Sequence, residues 1–173
     1  MAKLTSPDGG AWIELTPVHT SRGRGAGTDA VVCAVRFESY GEPIDGEVHV
    51  SKDGLERMIE RLRTFAEKRA GMLQLRSDTR ELEISLAARR SKWTQKINVT
   101  GLAGVPQQQP EETPEELRCS VGVTYRQHGG AGNVEHRCGL HCTFDALSEF
   151  ATALASELAA APRRTGRVEP DNA

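Results

Sequence analysis

Long hydrophobic runs are absent from this sequence of 173 residues, in which apolar residues make up 38%. No stretch approaches the roughly 20 consecutive apolar residues that a transmembrane helix needs, so we expect no membrane-spanning segment. The N-terminal sequence MAKLTSPDGG also lacks the apolar segment that a secretory signal contains. The sequence therefore predicts a cytoplasmic protein, in which the four cysteines stay reduced.

A surplus of basic residues is also lacking, because 22 Lys and Arg residues stand against 24 Asp and Glu residues, for a net charge of -2. DNA-binding domains usually have a clear excess of positive charge. Aromatic residues make up only 5% of the chain, too few for the stacking platforms that bind single-stranded nucleic acids. The composition therefore argues against a nucleic acid as the partner.

The sequence contains none of the short motifs that specify a reaction, such as GxSxG, HExxH, the Walker A loop or GxGxxG. Its densest group of metal-ligating residue types is Cys138, His141 and Cys142, with His136 just before them. On a strand, the two cysteines would lie roughly 13 Å apart on one face, too far to share a zinc ion, with His141 on the other face. A pair of His49 and His141 would form only if their strands were neighbours. We therefore predict a protein that is not an enzyme and has neither a metal nor a cofactor.

The sequence is rich, by contrast, in the alternation of apolar and polar residues that is typical of strands with one buried face. In segment 31–37, the alternate residues Val31, Cys33, Val35 and Phe37 are apolar. The same pattern predicts strands at 81–88, 93–99, 119–125 and 136–142, and shorter strands at 12–17, 44–50 and 72–76. We therefore predict an antiparallel sheet of about six to eight strands.

Two segments change to helical spacing, with apolar residues three or four positions apart. Ser51 is the predicted N-cap of a helix whose apolar stripe begins at Leu55, and Thr143 that of a second helix whose stripe begins at Leu147. The element order is then strands, helix, strands, helix. This order predicts an α+β fold with both helices on one face of the antiparallel sheet.

The two strand–helix units also resemble each other in sequence. EVHVSKDGLERMIERL aligns without a gap with GLHCTFDALSEFATAL, so that Ser51 matches Thr143 and Asp53 matches Asp145. Two explanations are open. Either the units converged on one capping and packing pattern, or a strand-rich half that ends in a helix was duplicated.

The length of the chain fits one domain, and we predict a single α+β domain over residues 1–160. Residues 161–173 are polar, contain two prolines and are predicted to form a disordered tail. The segment 104–116, GVPQQQPEETPEE, is predicted to be either disordered or a functional surface loop.

In its order of elements, the chain resembles small bacterial α+β proteins related to the WapI-type immunity proteins, which protect a cell from a toxin delivered by competing bacteria. The resemblance lies in VHVSKDGLERMIERLRTF, GMLQLRSDTRELEISLAARR and TFDALSEFATALASEL, and it spans roughly residues 11–160. The insertion GVPQQQPEETPEE departs from it. The resemblance implies a protein that binds a toxin, and it carries over no individual binding residue.

These features predict a non-catalytic protein-binding domain, in its most specific form an immunity protein that neutralises a toxin. The alternatives are a regulatory or structural module of a larger complex and a small-ligand binder or enzyme that uses the sheet. Because the helices would cover one sheet face, we expect the partner protein at the exposed face and at the glutamate-rich loop. The predicted partner-binding residues are the charged residues of these two regions, namely Glu81, Glu83, Lys96, Glu111, Glu112, Glu115, Glu116, Arg118, Arg126 and Arg137.

Overall fold

The first half of the chain forms an antiparallel sheet followed by a helix. The computed structural model describes residues 1–22, 29–39, 41–90, 117–129 and 132–164. Sheet A is built on four consecutive strands, β1 (Ala2–Thr5), β2 (Trp12–Arg22), β3 (Asp29–Ser39) and β4 (Glu42–Ser51). Helix α1 (Lys52–Lys68) follows directly. These four strands lie side by side in chain order.

The second half repeats this arrangement. Sheet B consists of β5 (Met72–Arg76), β6 (Leu82–Arg90), β7 (Leu117–Gly129) and β8 (Gly132–Thr143), again side by side in chain order. Helix α2 (Phe144–Ala160) follows, and a two-residue strand β9 (Arg163–Arg164) then pairs in parallel with β2 as the fifth strand of sheet A. Both halves thus have the topology ββββα.

The α+β class is confirmed, whereas the prediction of one sheet with six to eight strands is wrong. The strands of the described residues form two sheets, because α1 separates β4 from β5 and these two strands do not pair. Each helix contacts both sheets: α1 packs on β3 and β4 and reaches β5, while α2 packs on β1 and β2 as well as on β7 and β8. The inner residues of both sheets and the buried faces of both helices therefore form one hydrophobic core.

The alternating apolar residues lie on the inner faces, as predicted. On β3, Val31, Val35 and Phe37 are completely buried, and on β6 Leu82 and Leu86 are equally enclosed. The strand predicted at 93–99 and the loop predicted at 104–116 lie outside the described residues. The short strands β1 and β9 were not predicted.

The predicted C-terminal tail starts too early in the chain. Residues 161–164 belong to the fold, since Thr20 N donates to Pro162 O at 3.0 Å and β9 pairs with β2. These contacts join the end of α2 to sheet A. Residues 165–173 lie outside the described part of the chain.

Both helices begin at the predicted caps. The Ser51 hydroxyl accepts a hydrogen bond from Gly54 N, and the Thr143 hydroxyl accepts one from Ala146 N, both at 3.1 Å. Each cap satisfies a backbone donor that the first helical turn leaves without a partner. Neither helix combines the length and the hydrophobicity that would let it cross a membrane.

The likeness of the two halves extends to the turn after their first strand. Ser6 Oγ accepts from Ala11 N in the first half, and Ser77 Oγ accepts from Leu82 N in the second, both at 3.1 Å. The two halves therefore share strand order, helix caps and a hairpin turn, which favours duplication over convergence as their origin.

Asp78 ties the first turn of sheet B to the start of α1, because its Oδ2 accepts from Ser51 N at 2.8 Å. Hydrogen bonds from the side chain and backbone of Ser51 lower the pKa of Asp78. A carboxyl with a lowered pKa contributes stability above its unfolded pKa of about 3.9, and this stability is lost as the pH falls through the folded value.

We therefore expect Asp78→Ala to lower the free energy of unfolding at pH 7, with a smaller difference from wild type in strongly acidic solution. Urea unfolding at pH 7 and at about pH 2.5, compared through the midpoints of both proteins, measures this. An equal difference at both pH values would contradict the role of the charged carboxylate.

Candidate functional site

The candidate site is the outer face of sheet B, formed by the side chains of β5–β8 that point away from the helices. The structure places five of the predicted partner-binding residues on or directly beside this face, namely Glu83, Arg118, Arg126 and Arg137 on the strands and Glu81 immediately before β6. The other five, Lys96, Glu111, Glu112, Glu115 and Glu116, lie outside the described residues. The alternation of the strands thus brings together the described members of the predicted set.

A continuous network of ion pairs crosses one end of this face. Glu83 lies 3.3 Å from Arg76 and 4.0 Å from Arg126, measured between carboxylate oxygen and guanidinium nitrogen. Arg126 Nε donates to Glu135 at 2.9 Å, and Arg137 Nε donates to the other oxygen of Glu135 at 2.6 Å. The network therefore joins all four strands of the sheet.

The two arginines beside Glu135 make its carboxyl group more acidic. Hydrogen bonds from Arg137 and Arg126 lower the pKa of Glu135, so that this exposed carboxylate stays charged in mildly acidic solution. Arg126 also donates to Arg80 O at 3.1 Å, a backbone oxygen in the turn before β6. Its guanidinium is thus held in a fixed position on the face.

Small side chains occupy the centre of the face. Ser85, Gly122 and Gly139 lie side by side on β6, β7 and β8, and the Ser85 hydroxyl donates to Gly122 O at 3.3 Å. The next row contains Ala87 and Ser120. A Cβ atom at Gly139 would have nothing within 4 Å, so the surface above this strand is open.

A second basic group lies at the far end of the face. Arg89 and Arg118 are exposed and occupy directly opposite positions of β6 and β7. One row away, Ser120 Oγ lies 3.1 Å from His141 Nδ1. At the β5 edge, the side chain of Met72 is 88% exposed.

The sequence reasoning missed three charged residues of this face, Arg76, Arg89 and Glu135. Their positions could have been found, because the period of two places each of them on the same side as the residues that were chosen. The ion pairs themselves depend on the register between strands, which the pattern of a single strand does not contain.

The outer face of sheet A has a different arrangement of charged residues. Lys3, Glu14, Arg36 and Asp45 form a row of alternating charge, with Arg36 Nε 2.7 Å from Asp45 Oδ1. Further along the face, Val32 is 6% exposed between His19 and His49. His49 and His141 therefore belong to different sheets and form no pair.

The four cysteines are buried. Cys138 and Cys142 point inward and His141 is exposed, as the strand pattern predicts. Burial raises the pKa of Cys33 to about 12, so that its thiol is protonated at neutral pH. Across the described ranges, no three His, Cys, Asp or Glu side chains are grouped so that they could hold a metal ion.

A cleft of about 330 Å³ opens between the start of α1 and the end of α2. Ile59 and Leu158 contribute apolar walls, and the charged residues around them have both signs. Lys52 at the rim lies 3.9 Å from Glu56. The cleft is lined by charges of both signs, whereas the ion pairs of sheet B form one continuous network. The outer face of sheet B therefore remains the stronger candidate site.

Comparison of the chain with protein-family models, with curated proteins and with solved structures finds no match.

Proposed function

We propose that this protein is a non-catalytic binding domain that contacts another protein through the outer face of sheet B. The observation that supports this most is the ion-pair network from Arg76 to Arg137 on a sheet whose other face is covered by the helices. Charged side chains that are already held in place lose less conformational freedom on binding. They also favour encounter with a partner of complementary charge.

In its most specific form, the proposal is an immunity protein that binds and neutralises a bacterial toxin. Two arguments support this form of the proposal. The order of elements resembles that of WapI-type immunity proteins, and neutralising a toxin by binding it requires only a stable scaffold and a charged surface. The alternative is an interaction module of a larger complex, for which the same face would serve.

The face can be tested by neutralising two residues of the network without changing the net charge. The variant Arg126→Gln/Glu135→Gln removes the pair between these residues together with their pairs to Glu83 and Arg137. The control Arg36→Gln/Asp45→Asn removes the exposed ion pair of sheet A. Exposed ion pairs contribute only about 0–1 kcal/mol to folding, so both variants should fold. We expect a partner captured from source cells by the wild type and the sheet A variant to be lost by the sheet B variant.

Circular dichroism and thermal unfolding of all three proteins provide the folding control. Equal capture by the three proteins would contradict the assignment to this face. If the protein is an immunity protein, the captured partner should arrest cell growth when it is expressed alone. Cells that express the partner together with this protein should grow. A captured partner that is harmless alone would favour the module of a larger complex.

A further inference from the structure

Two of the four buried cysteines face each other across strands β7 and β8. Cys119 and Cys142 occupy directly opposite positions of this antiparallel pair, and both side chains are buried on the inner face of sheet B. Opposite residues of antiparallel strands have Cα atoms about 4.5 or 5.5 Å apart, depending on whether the two residues exchange hydrogen bonds. A disulfide requires Cα atoms about 4.4–6.8 Å apart. The register therefore holds these two thiols at a separation that a disulfide can span.

The other two cysteines lack this arrangement. Cys33 belongs to β3 of sheet A, where its opposite residues on β2 and β4 are Pro17 and Val48. Cys138 on β8 is opposite Val123. All four cysteines lie in described strands, and the pair on β7 and β8 is the only one in which two of them are opposite each other.

A hydrogen bond between the two thiols makes them unequal. The bond from the Cys142 thiol lowers the pKa of Cys119, and the same bond raises the pKa of Cys142. Burial raises the pKa values of Cys33 and Cys138. Because the thiolate is the nucleophilic form of cysteine, Cys119 is the thiol of the four that reacts most readily with an oxidant.

A small oxidant has a short route to this pair at the end of the strands. Cys119 and Cys142 are 0% and 1% exposed, but a single residue pair, Arg118 and Thr143, separates them from the end of the β7–β8 ladder. The ends of strands open locally at a lower cost in free energy than the whole fold. We therefore expect opening of this last pair to admit the oxidant while the core stays folded.

We propose that Cys119 and Cys142 form a reversible redox site, at which hydrogen peroxide converts the two thiols into a disulfide within the folded chain. The disulfide fixes the end of the β7–β8 hairpin from which α2 continues, because Cys142 directly precedes the N-cap Thr143. This inference goes beyond the proposed function and does not depend on the identity of the partner protein.

The oxidation takes two steps. The Cys119 thiolate attacks one oxygen of the peroxide, so that a sulfur–oxygen bond forms, the oxygen–oxygen bond breaks and the leaving hydroxide takes up a proton to become water. The Cys142 sulfur then attacks the sulfur of this sulfenic acid, and a second water leaves as the disulfide forms. Two thiols and one hydrogen peroxide thus give one disulfide and two waters, with two electrons passing from sulfur to oxygen. A dithiol reverses the change by thiol–disulfide exchange.

The experiment uses the full chain, reduced with dithiothreitol, freed of reductant and treated with hydrogen peroxide in the absence of denaturant. We expect two of the four free thiols to be lost, with a decrease in mass of about 2 Da for the two hydrogens removed. Peptide mapping should identify a link between Cys119 and Cys142 that dithiothreitol removes. The oxidised chain should melt about 5–10 °C higher than the reduced chain, because the bond restricts the unfolded state.

Cys33→Ala is the matched control, since it removes a buried thiol that has no cysteine opposite it. This variant should form the disulfide at a rate within about twofold of wild type. Cys142→Ala should form no disulfide within the chain and should show no rise in melting temperature. Circular dichroism of the reduced variants checks their folding, and the peptide map of the wild type tests the pairing without any substitution.

Retention of all four thiols by the folded chain would overturn the inference. A disulfide that involves Cys33 or Cys138 would also do so, as would a link that forms only after urea is added. Oxidation to sulfinic or sulfonic acids in place of a disulfide would show that the two sulfur atoms do not meet. An oxidised chain that melts no higher than the reduced one would contradict the role of the bond in fixing the hairpin.

Discussion

Replacement of Leu154 by alanine should lower the free energy of unfolding by about 2–5 kcal/mol, because it leaves a cavity where the two halves of the chain meet. Leu154 is completely buried in α2, the helix that packs on strands of both sheets. A void at this position removes contacts that hold sheet A and sheet B around one core. Urea unfolding, followed by tryptophan fluorescence and by circular dichroism, measures the loss.

The matched control is Thr152→Ala on the exposed side of the same helix. The Thr152 hydroxyl donates only to Ser148 O, at 2.9 Å within the helix. Alanine is the best helix former, so this change should alter stability by less than about 0.5 kcal/mol. If Leu154→Ala were as mild as this control, the helix would not pack as the structure describes.

The second large effect is expected from Gly46→Ala, which should cost about 1–3 kcal/mol through overpacking. A Cβ atom at Gly46 would overlap the phenol ring of Tyr125, which reaches from β7 of sheet B to β4 of sheet A. The Tyr125 hydroxyl donates to Glu47 O at 3.5 Å at the same point. The glycine is needed here for the close approach of the two sheets rather than for a special backbone conformation.

A double-mutant cycle with Tyr125→Leu tests this explanation. The shorter leucine leaves room for the new methyl group, so the combined cost of both changes should be clearly smaller than the sum of the single costs. As a control, Gly139→Ala on β8 has open space and should be close to neutral. Additive costs for Gly46→Ala and Tyr125→Leu would show that the two residues do not meet.

Much of the local structure could be predicted from the sequence, because periodicity records which residues are buried. The caps Ser51 and Thr143, both helices and the inward faces of the longer strands follow from local chemistry. The division into two sheets could not be predicted, since it depends on which strand edges meet. Strand β1 alternates buried and exposed residues over only four positions, which is too short a pattern to identify a strand, and Arg163 and Arg164 of β9 have no apolar pattern at all.

The candidate site, too, could be predicted only in part from the sequence. The period of two places Glu83, Arg126 and Arg137 on one face, and this much is available from the sequence alone. The register then determines that Arg126 meets Glu135 and that Arg89 meets Arg118. These neighbours lie on different strands, nine residues apart for the first pair and 29 for the second, so the alternation within one strand could not indicate which charged residues meet.

The packing of α2 on sheet A has a consequence for synthesis on the ribosome. Helix α2 covers β1 and β2, yet it is completed 92 residues after α1 ends, at Ala160 compared with Lys68. At a translation rate of about 5–20 residues per second, the nascent chain exposes the inner side chains of Leu4, Ile13 and Leu15 for roughly 5–20 s. During that interval a ribosome-associated chaperone, or β1 of a second nascent chain, would find an uncovered apolar surface that the finished protein no longer presents.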